Sequence, residues 1–341
     1  MIKLKKYNNI IKEVWDYMEY IDEIDENNIY TGKSFPKSDF HKFGKWYREV
    51  IGFVLNENGE ILLQQRSKNK EAKPLYWEVC TGHVSKGEQP EEAMIRELKE
   101  EIDLDVNAED LIKIKVMKTK EKIKEMFHYA FSYIYLIKTN KKINEFTMQK
   151  EEVCKIKYIK IEELKEMIEK REEKLCLLAY KDILDILDKI SSLSKIKVRE
   201  VNIDEAIEVH KNVLEFKETK PEKEYFENRY KDSDKLIIVA YYDNKPAGYI
   251  IGYDKFKDNK DSFYCWMAGT HYKYRRKGIL SELMRYQMNW ARKNGYKVLR
   301  IKTRNNRREM LNFLVKTGFN FVSVEERENI EDNRINLEIR L

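Results

Sequence analysis

The sequence predicts a two-domain α/β protein, and three observations carry that reading. The chain has 341 residues, too many for one ordinary core and suited to two. Two separate stretches, Gly82–Leu104 and Thr270–Lys293, each read as a strand end, a polar glycine-containing turn and an amphipathic helix. Between them, 161–194 has a helical pattern that ends in Ser191-Ser192-Leu193-Ser194, expected to break the helix and mark the boundary. The expected division is 1–160, a helical connector over 161–194, and 195–341.

Taken in order, residues 1–16 read as a helix with Ile10, Ile11, Val14 and Trp15 on its apolar side. Tyr20–Asp25 and Ile29–Gly32 read as short strands about the turn 26–28. A strand from Trp46 to Leu55 meets the hairpin turn Asn58-Gly59 and returns over Glu60–Gln65. Tyr76–Cys80 is a strand that delivers the chain to Gly82. Strands near Leu111–Lys118, Phe127–Ile137 and Cys154–Ile159 follow, then a helix opening at Glu162-Glu163. In the second half, Lys197–Asn202 reads as a strand and Ile203–Phe216 as a helix. Lys235–Tyr242, Ala247–Tyr253 and Phe263–Ala268 are strands. Val298–Thr303 is another, Arg307–Lys316 a helix, and Gly318–Val324 a last strand.

Composition narrows the function classes. The charge of +6 is the small remainder of 66 basic and 60 acidic side chains, with lysine scattered rather than striped. That favours small anions over nucleic acid as partners. No apolar run is long enough for a bilayer and the N-terminus lacks a signal-peptide core, so no membrane partner is expected. Cys80, Cys154, Cys176 and Cys265 show no paired spacing and read as reduced thiols of a cytoplasmic protein.

Within Gly82–Leu104, Pro90 suits a first helical turn, and residues three and four apart share a helical face. Glu97, Glu100 and Glu101 therefore converge, and clustered carboxylates either rise in pKa or collect a hard cation such as Mg²⁺ (or Mn²⁺). The order is Gly82, five residues, Glu88, seven residues, Arg96-Glu97, Leu98, one residue, Glu100-Glu101, then Leu104. This run resembles the box of the Nudix hydrolases, with Asp103 standing at the family's last glycine, where aspartate tolerates left-handed backbone. The resemblance implies an α/β/α sandwich with a mixed sheet that hydrolyses a small-molecule pyrophosphate. It implies Glu97, Glu100, Glu101 and the Gly82 carbonyl as metal ligands, with Arg96 pairing Glu88 to brace the loop. Glu152 stands where a later loop often adds a glutamate, and the general base is either Glu97 or Glu152. His83 reaches phosphate or is a polar loop residue. Trp46, Tyr47, Tyr76 and Trp77 are better read as core than as base-stacking surfaces.

Tyr20–Gly32, Gln65-Arg66-Ser67 and Trp77 resemble the branch of the family near isopentenyl-diphosphate isomerase. Those isomerases place a cysteine just before Gly-His and tend to break the glutamate run. Here Thr81 precedes Gly82-His83, Cys80 is one position early, and the run is intact, which favours hydrolysis.

In the second half, Arg275-Arg276-Lys277-Gly278 is a basic glycine turn at a helix start, where backbone N–H groups and the helix dipole suit a pyrophosphate. With its flanking strands it resembles the GNAT acetyltransferases over Ile196–Leu341, implying a mixed twisted sheet flanked by helices that transfers acetyl from acetyl-CoA to an amine acceptor. By that resemblance Arg275, Arg276, Lys277, Gly278 and Ile279 grip the CoA pyrophosphate and Thr270 the pantetheine; Asn306 joins the acetyl-CoA-binding residues. Leu280 replaces a small residue of the signature, and Leu314 stands at the place of a proton-donating tyrosine, to which Asn306 and Asn312 are polar alternatives. A domain that senses acetyl-CoA without turnover is the alternative.

Overall fold

The computed structural model describes residues 19–341 apart from 71, 124, 173, 180–181, 217–221 and 257–259. The helix expected over 1–16 lies outside the described residues. The chain divides at Ser191–Ser192 into two compact units, each with its own sheet.

The first unit begins with β1 (Tyr20–Ile24), β2 (Tyr30–Pro36), α1 (Lys37–Phe43), β3 (Trp46–Leu55) and β4 (Glu60–Arg66). The short strands β5 (Trp77–Glu78) and β6 (Cys80–His83) lead into α2 (Pro90–Ile102). Then come β7 (Leu111–Ile123), β8 (Met126–Lys138), β9 (Val153–Lys160), α3 (Ile161–Glu169) and α4 (Ile183–Ser194). The hairpin at Asn58-Gly59 forms, but β3 and β4 pair only at Leu55↔Ile61 and then separate. From there β3 takes β8 as a parallel neighbour and β6 as an antiparallel one, while β4 takes β9. Strand alternation splits the β3 side chains between two faces. Val50 and Val54 join Met94, Leu98 and Ile102 of α2, Cys80 and Tyr135; Tyr47 joins Phe40 of α1, Ile21 and Ala130.

Two expectations near the division are corrected. Ser191–Ser194 does not break the helix: α4 runs through Ser194 because Leu193, three residues after Ile190, extends its buried stripe. The segment after α3 is held by strand-like pairing, with Trp77 N–H donating to the Lys174 carbonyl at 2.9 Å.

The second unit runs β10 (Ile196–Glu200), α5 (Ile203–His210), α6 (Lys223–Arg229), β11 (Lys235–Tyr242), β12 (Lys245–Tyr253) and β13 (Ser262–Thr270). It continues with α7 (Ile279–Lys293), β14 (Val298–Arg304), α8 (Arg308–Lys316), β15 (Asn320–Glu325) and β16 (Arg334–Arg340). The helix expected to reach Phe216 stops at His210. Asn202 caps its start through Asp204 and Glu205 N–H, and the chain turns at Lys211-Asn212. The sheet order is β10-β11-β12-β13-β14-β16-β15, antiparallel except for β13 beside β14. Gly248 and Gly252 on β12 let α7 close in; a Cβ there would lie 2.5 Å from Ile279 and Gln287 atoms respectively. Both units are thus mixed sheets with packed helices, as the sequence predicts.

Candidate active sites

In the first unit, β6 ends on the loop that carries Glu88, and Gln89 with Glu92 forms a capping box ahead of Pro90. At the other end of α2, Asp103 takes left-handed backbone (φ 53°) and returns its N–H to the Leu98 and Lys99 carbonyls. The helix is thereby fixed at both ends.

Arg96 organises what lies between. Its Nε and Nη2 donate to the two Glu88 oxygens at 2.9 and 3.0 Å, and Nη2 also donates to the His83 carbonyl at 3.1 Å. Its Nη1 donates to Glu97 at 2.8 Å and to Glu100 at 3.2 Å. Glu88 accepts in addition from the Ser85 N–H at 2.9 Å, so loop and helix share one ionic knot.

The carboxylates differ in environment. Glu97 lies against the Gly82 Cα, where an added Cβ would be 2.1 Å from its carboxyl carbon, and burial raises its pKa against the pull of Arg96. Glu101 is buried, accepts from Gln64 Nε2 at 2.7 Å and contacts the Cys80 thiol; burial pushes its pKa up to about 7. Glu100 is half-exposed on the same helical face. Glu152 forms an ion pair with Lys70, whose own pKa is lowered by burial and by Arg66 while Glu101 opposes the shift. Among the described residues, no three histidine, cysteine or carboxylate side chains converge on one point as a ready metal cage. Each carboxylate is already engaged: Arg96 holds Glu97 and Glu100, Gln64 holds Glu101, and Lys70 holds Glu152.

A divalent cation nevertheless fits the donor set. Burial raises both Glu97 and Glu101, a cost that a cation relieves; their oxygens are hard ligands, and the missing Cβ at Gly82 makes the room.

The same strands carry further polar groups, Glu49 and Glu78 among them, that pattern reading does not single out. His83 is not in the loop; it ends β6, stacks on Tyr47 with ring centroids 5.1 Å apart, and sits directly across from Glu49. Burial and the nearby Lys37, His41, His128 and Lys70 keep its imidazole neutral, well below the ordinary range. Glu49 accepts from Ser132 Oγ at 2.5 Å and faces His128 Nε2 at 3.4 Å, which raises the His128 pKa against its burial. Glu78 is buried, paired with Arg66 at 2.7 Å, and raised by burial. Its one sequence signal is a carboxylate inside the apolar strand Tyr76–Cys80. Tyr47 is core, Trp46 lies between Tyr129 and Phe131, and Lys157 covers Trp77.

In the second unit β13 and β14 pair from Ser262↔Val298 to Cys265↔Ile301 and no further, although β13 continues to Thr270 and β14 to Arg304. Trp266 is the bulged residue opposite β12, since Met267 pairs with Ile251 and Cys265 with Gly252. The bulge bends β13 away from its parallel neighbour and opens the sheet. Thr270, paired with Gly248, ends that diverging segment. The turn that follows has Arg276 (φ 65°) and Gly278 (φ 86°) in left-handed backbone, and no side chain caps α7 at Gly278. Ile279 is buried over Gly248, so its backbone rather than its side chain faces the turn. Arg275 is engaged, donating to Glu215 at 2.5 Å; Arg307 donates to the Glu215 carbonyl at 3.0 Å. Lys277 Nζ lies 4.8 Å over the Tyr242 ring. Asn306 is exposed in the next turn, its N–H on the Glu331 carbonyl.

Comparison with known proteins bears on both units. Residues 45–178 match the NUDIX domain model, and a Nudix hydrolase of Listeria monocytogenes is 31% identical over 148 residues, 43% of this chain and 83% of that protein. The chain belongs to the Nudix family. Its second unit matches the acetyltransferase (GNAT) family model over 203–319, so a Nudix chain here carries a GNAT unit, and both families are enzymes. An isopentenyl-diphosphate Delta-isomerase of Photorhabdus laumondii is 28% identical over 174 residues, 50% of this chain and 96% of that protein, which marks the branch the Nudix unit resembles. The solved structure of DR0079 from Deinococcus radiodurans is 19% identical and covers 50% of this chain and 99% of its own, with a TM-score of 0.41. No helix among the described residues is long and apolar enough to cross a membrane.

Proposed function

We propose that the chain is a bifunctional enzyme: its Nudix unit hydrolyses an organic pyrophosphate with Mg²⁺ or Mn²⁺, and its GNAT unit moves acetyl from acetyl-CoA to an amine. The observation that carries the first activity is the pair of buried, raised carboxylates, Glu97 against Gly82 and Glu101 against Gln64, beside the Arg96–Glu88 brace. Glu97, Glu100, Glu101 and the Gly82 carbonyl would hold the cation, which would supply charge neutralisation at phosphoryl oxygens and a more acidic water. Arg96 keeps the loop closed over the helix. Glu97, its pKa raised by burial, is suited to take the water's proton; Glu152 does so only after leaving Lys70. Isomerase chemistry is the weaker reading, because Thr81 lacks a thiol and the Cys80 thiol, buried and beside Glu101, is pushed well up. Incubation with Mg²⁺ and a panel of nucleoside diphosphate derivatives should release monophosphates or phosphate, and Glu100→Gln should abolish the release. Conversion of isopentenyl diphosphate that Cys80→Ala abolishes, with no hydrolysis of the panel, would reverse this preference.

In the GNAT unit the parted strands and the uncapped left-handed turn at Arg276–Gly278 support an acetyl-CoA site, with the backbone of Arg275–Ile279 taking the pyrophosphate and Thr270 lining the opening. One observation favours a sensor without turnover: the side chain at 314 is a buried leucine, which has no ionisable proton to give a leaving thiolate. Calorimetry with acetyl-CoA followed by an acetyl-transfer assay on small amines separates the two readings.

A further inference from the structure

Where β13 leaves β14, the opening is walled on one side by aromatic rings. The Trp266 ring lies 5.8 Å from Tyr225, 5.8 Å from Phe226 and 5.9 Å from Tyr253. The wall is not sealed, since Trp266 is only partly buried and Tyr225 is 55% exposed. A ring-lined opening of this kind receives a flat apolar body.

Two cations stand along the same wall. The Arg229 guanidinium lies 5.6 Å over the Trp266 ring and is hydrogen-bonded to Tyr253. Lys255 Nζ lies 4.5 Å over Tyr264 and 5.5 Å over Phe256. Other cations here are matched to carboxylates, Arg300 to Glu338 at 3.1 Å and Lys302 to Glu325 at 2.5 Å. Among the described residues neither Arg229 nor Lys255 has such a partner. Burial, Lys302 and Arg229 together lower the Lys255 pKa, with Glu325 opposing, so the local field is one that an added anion relieves. The same field repels a polyamine or a lysine-rich peptide.

We infer that the acetyl acceptor of this unit is an amine that also bears a carboxylate on an aromatic body, the chemistry of an aromatic amino acid, with its carboxylate held by Arg229 and Lys255 beside Trp266. This rests on the acetyl-transfer reading above. A guanidinium grips a planar carboxylate through two parallel hydrogen bonds, and the rings hold the body flat. The amine nitrogen then bonds to the acetyl carbonyl carbon and the thioester C–S bond breaks. The ammonium group gives up two protons, one ending on the CoA sulfur and one in solvent, leaving an amide and free CoA thiol.

The test uses the full chain with saturating acetyl-CoA and a colorimetric readout of released thiol. Tryptophan and phenylalanine are compared with tryptamine, phenethylamine and spermidine. The expected result is a kcat/KM at least tenfold higher for each amino acid than for its decarboxylated analogue. Arg229→Gln and Lys255→Gln should erase that ratio through the acceptor KM, with the acetyl-CoA KM unchanged. Preference for spermidine or a decarboxylated amine, or a ratio untouched by both variants, overturns the inference while leaving acetyl transfer standing. If no thiol is released, calorimetry on the CoA-loaded chain decides: tighter binding of tryptophan than tryptamine, lost in Arg229→Gln, supports the site, and equal binding overturns it. Failure of acetyl-CoA itself to bind removes the acetyl-transfer reading and this inference with it.

Discussion

Replacing Gly82 by alanine tests the Nudix site at its narrowest point. The backbone there is not left-handed, so alanine meets no torsional penalty; the obstacle is steric. The new Cβ would lie 2.1 Å from the Glu97 carboxyl carbon and Oε1 and 2.3 Å from its Cγ. The carboxyl must therefore retreat by about 1.3 Å, the gap between 2.1 Å and the 3.4 Å at which ordinary contact begins. That movement breaks the 2.8 Å bond from Arg96 Nη1. A displacement of about 1 Å in a catalytic group costs on the order of 100-fold in rate. Overpacking costs about 1–3 kcal/mol, offset in part by the ~0.4–1 kcal/mol that alanine removes from unfolded-state entropy. Gly82→Ala should thus lose about 100-fold in kcat/KM for hydrolysis with only a small fall in melting temperature. Gly295→Ala is the control: its φ of 83° strains alanine with nothing within 4 Å, so it should destabilise the chain and spare hydrolysis. A Gly82→Ala enzyme within threefold of the parent rate would refute the role given to the Glu97 contact.

Three further outcomes follow from the same geometry. Glu101 has its pKa raised from 4.5 to about 7, so the folded chain binds more protons than the unfolded one between those values. With a chelator present, stability contributed by this group should therefore fall by about 3 kcal/mol from pH 4.5 to 7 and level off above. Melts of the parent and Glu101→Gln across that range should differ in slope, and parallel curves would remove the buried-acid reading. Arg96→Lys keeps the charge but loses the two-pronged grip on Glu88, so hydrolysis should drop at least tenfold while acetyl-CoA binding, measured by calorimetry, stays unchanged. Gly278→Ala places a Cβ 2.8 Å from Leu193 at a φ of 86°, and should weaken acetyl-CoA binding by about tenfold at a backbone cost of ~1–2 kcal/mol.

The Nudix box was legible because its geometry is local. Arg96 meets Glu88, Glu97 and Glu100 within eight residues, and Asp103 closes the helix from its own position, so spacing alone places the groups. Gln64 reaches Glu101 across 37 residues, and Ser132 reaches Glu49 across 83. The second contact exists because β3 leaves its hairpin partner for β8, a choice of neighbour that no local pattern encodes. The same holds for β16, which inserts between β14 and β15, and for the Trp266 bulge, invisible in the continuous apolar run Phe263–Ala268. Helix ends failed where burial outvoted composition: Leu193 carried α4 through serines that read as a stop, and the turn after His210 ended α5 early.

Arg96 also sets an accounting of charge on the helix face. One guanidinium answers to Glu88, Glu97 and Glu100 together, one positive charge against three carboxylates. A dication entering beside Glu97 and Glu100 does not fill an empty seat; it competes with a resident counterion. Its measured affinity is consequently a difference between two ionic pairings.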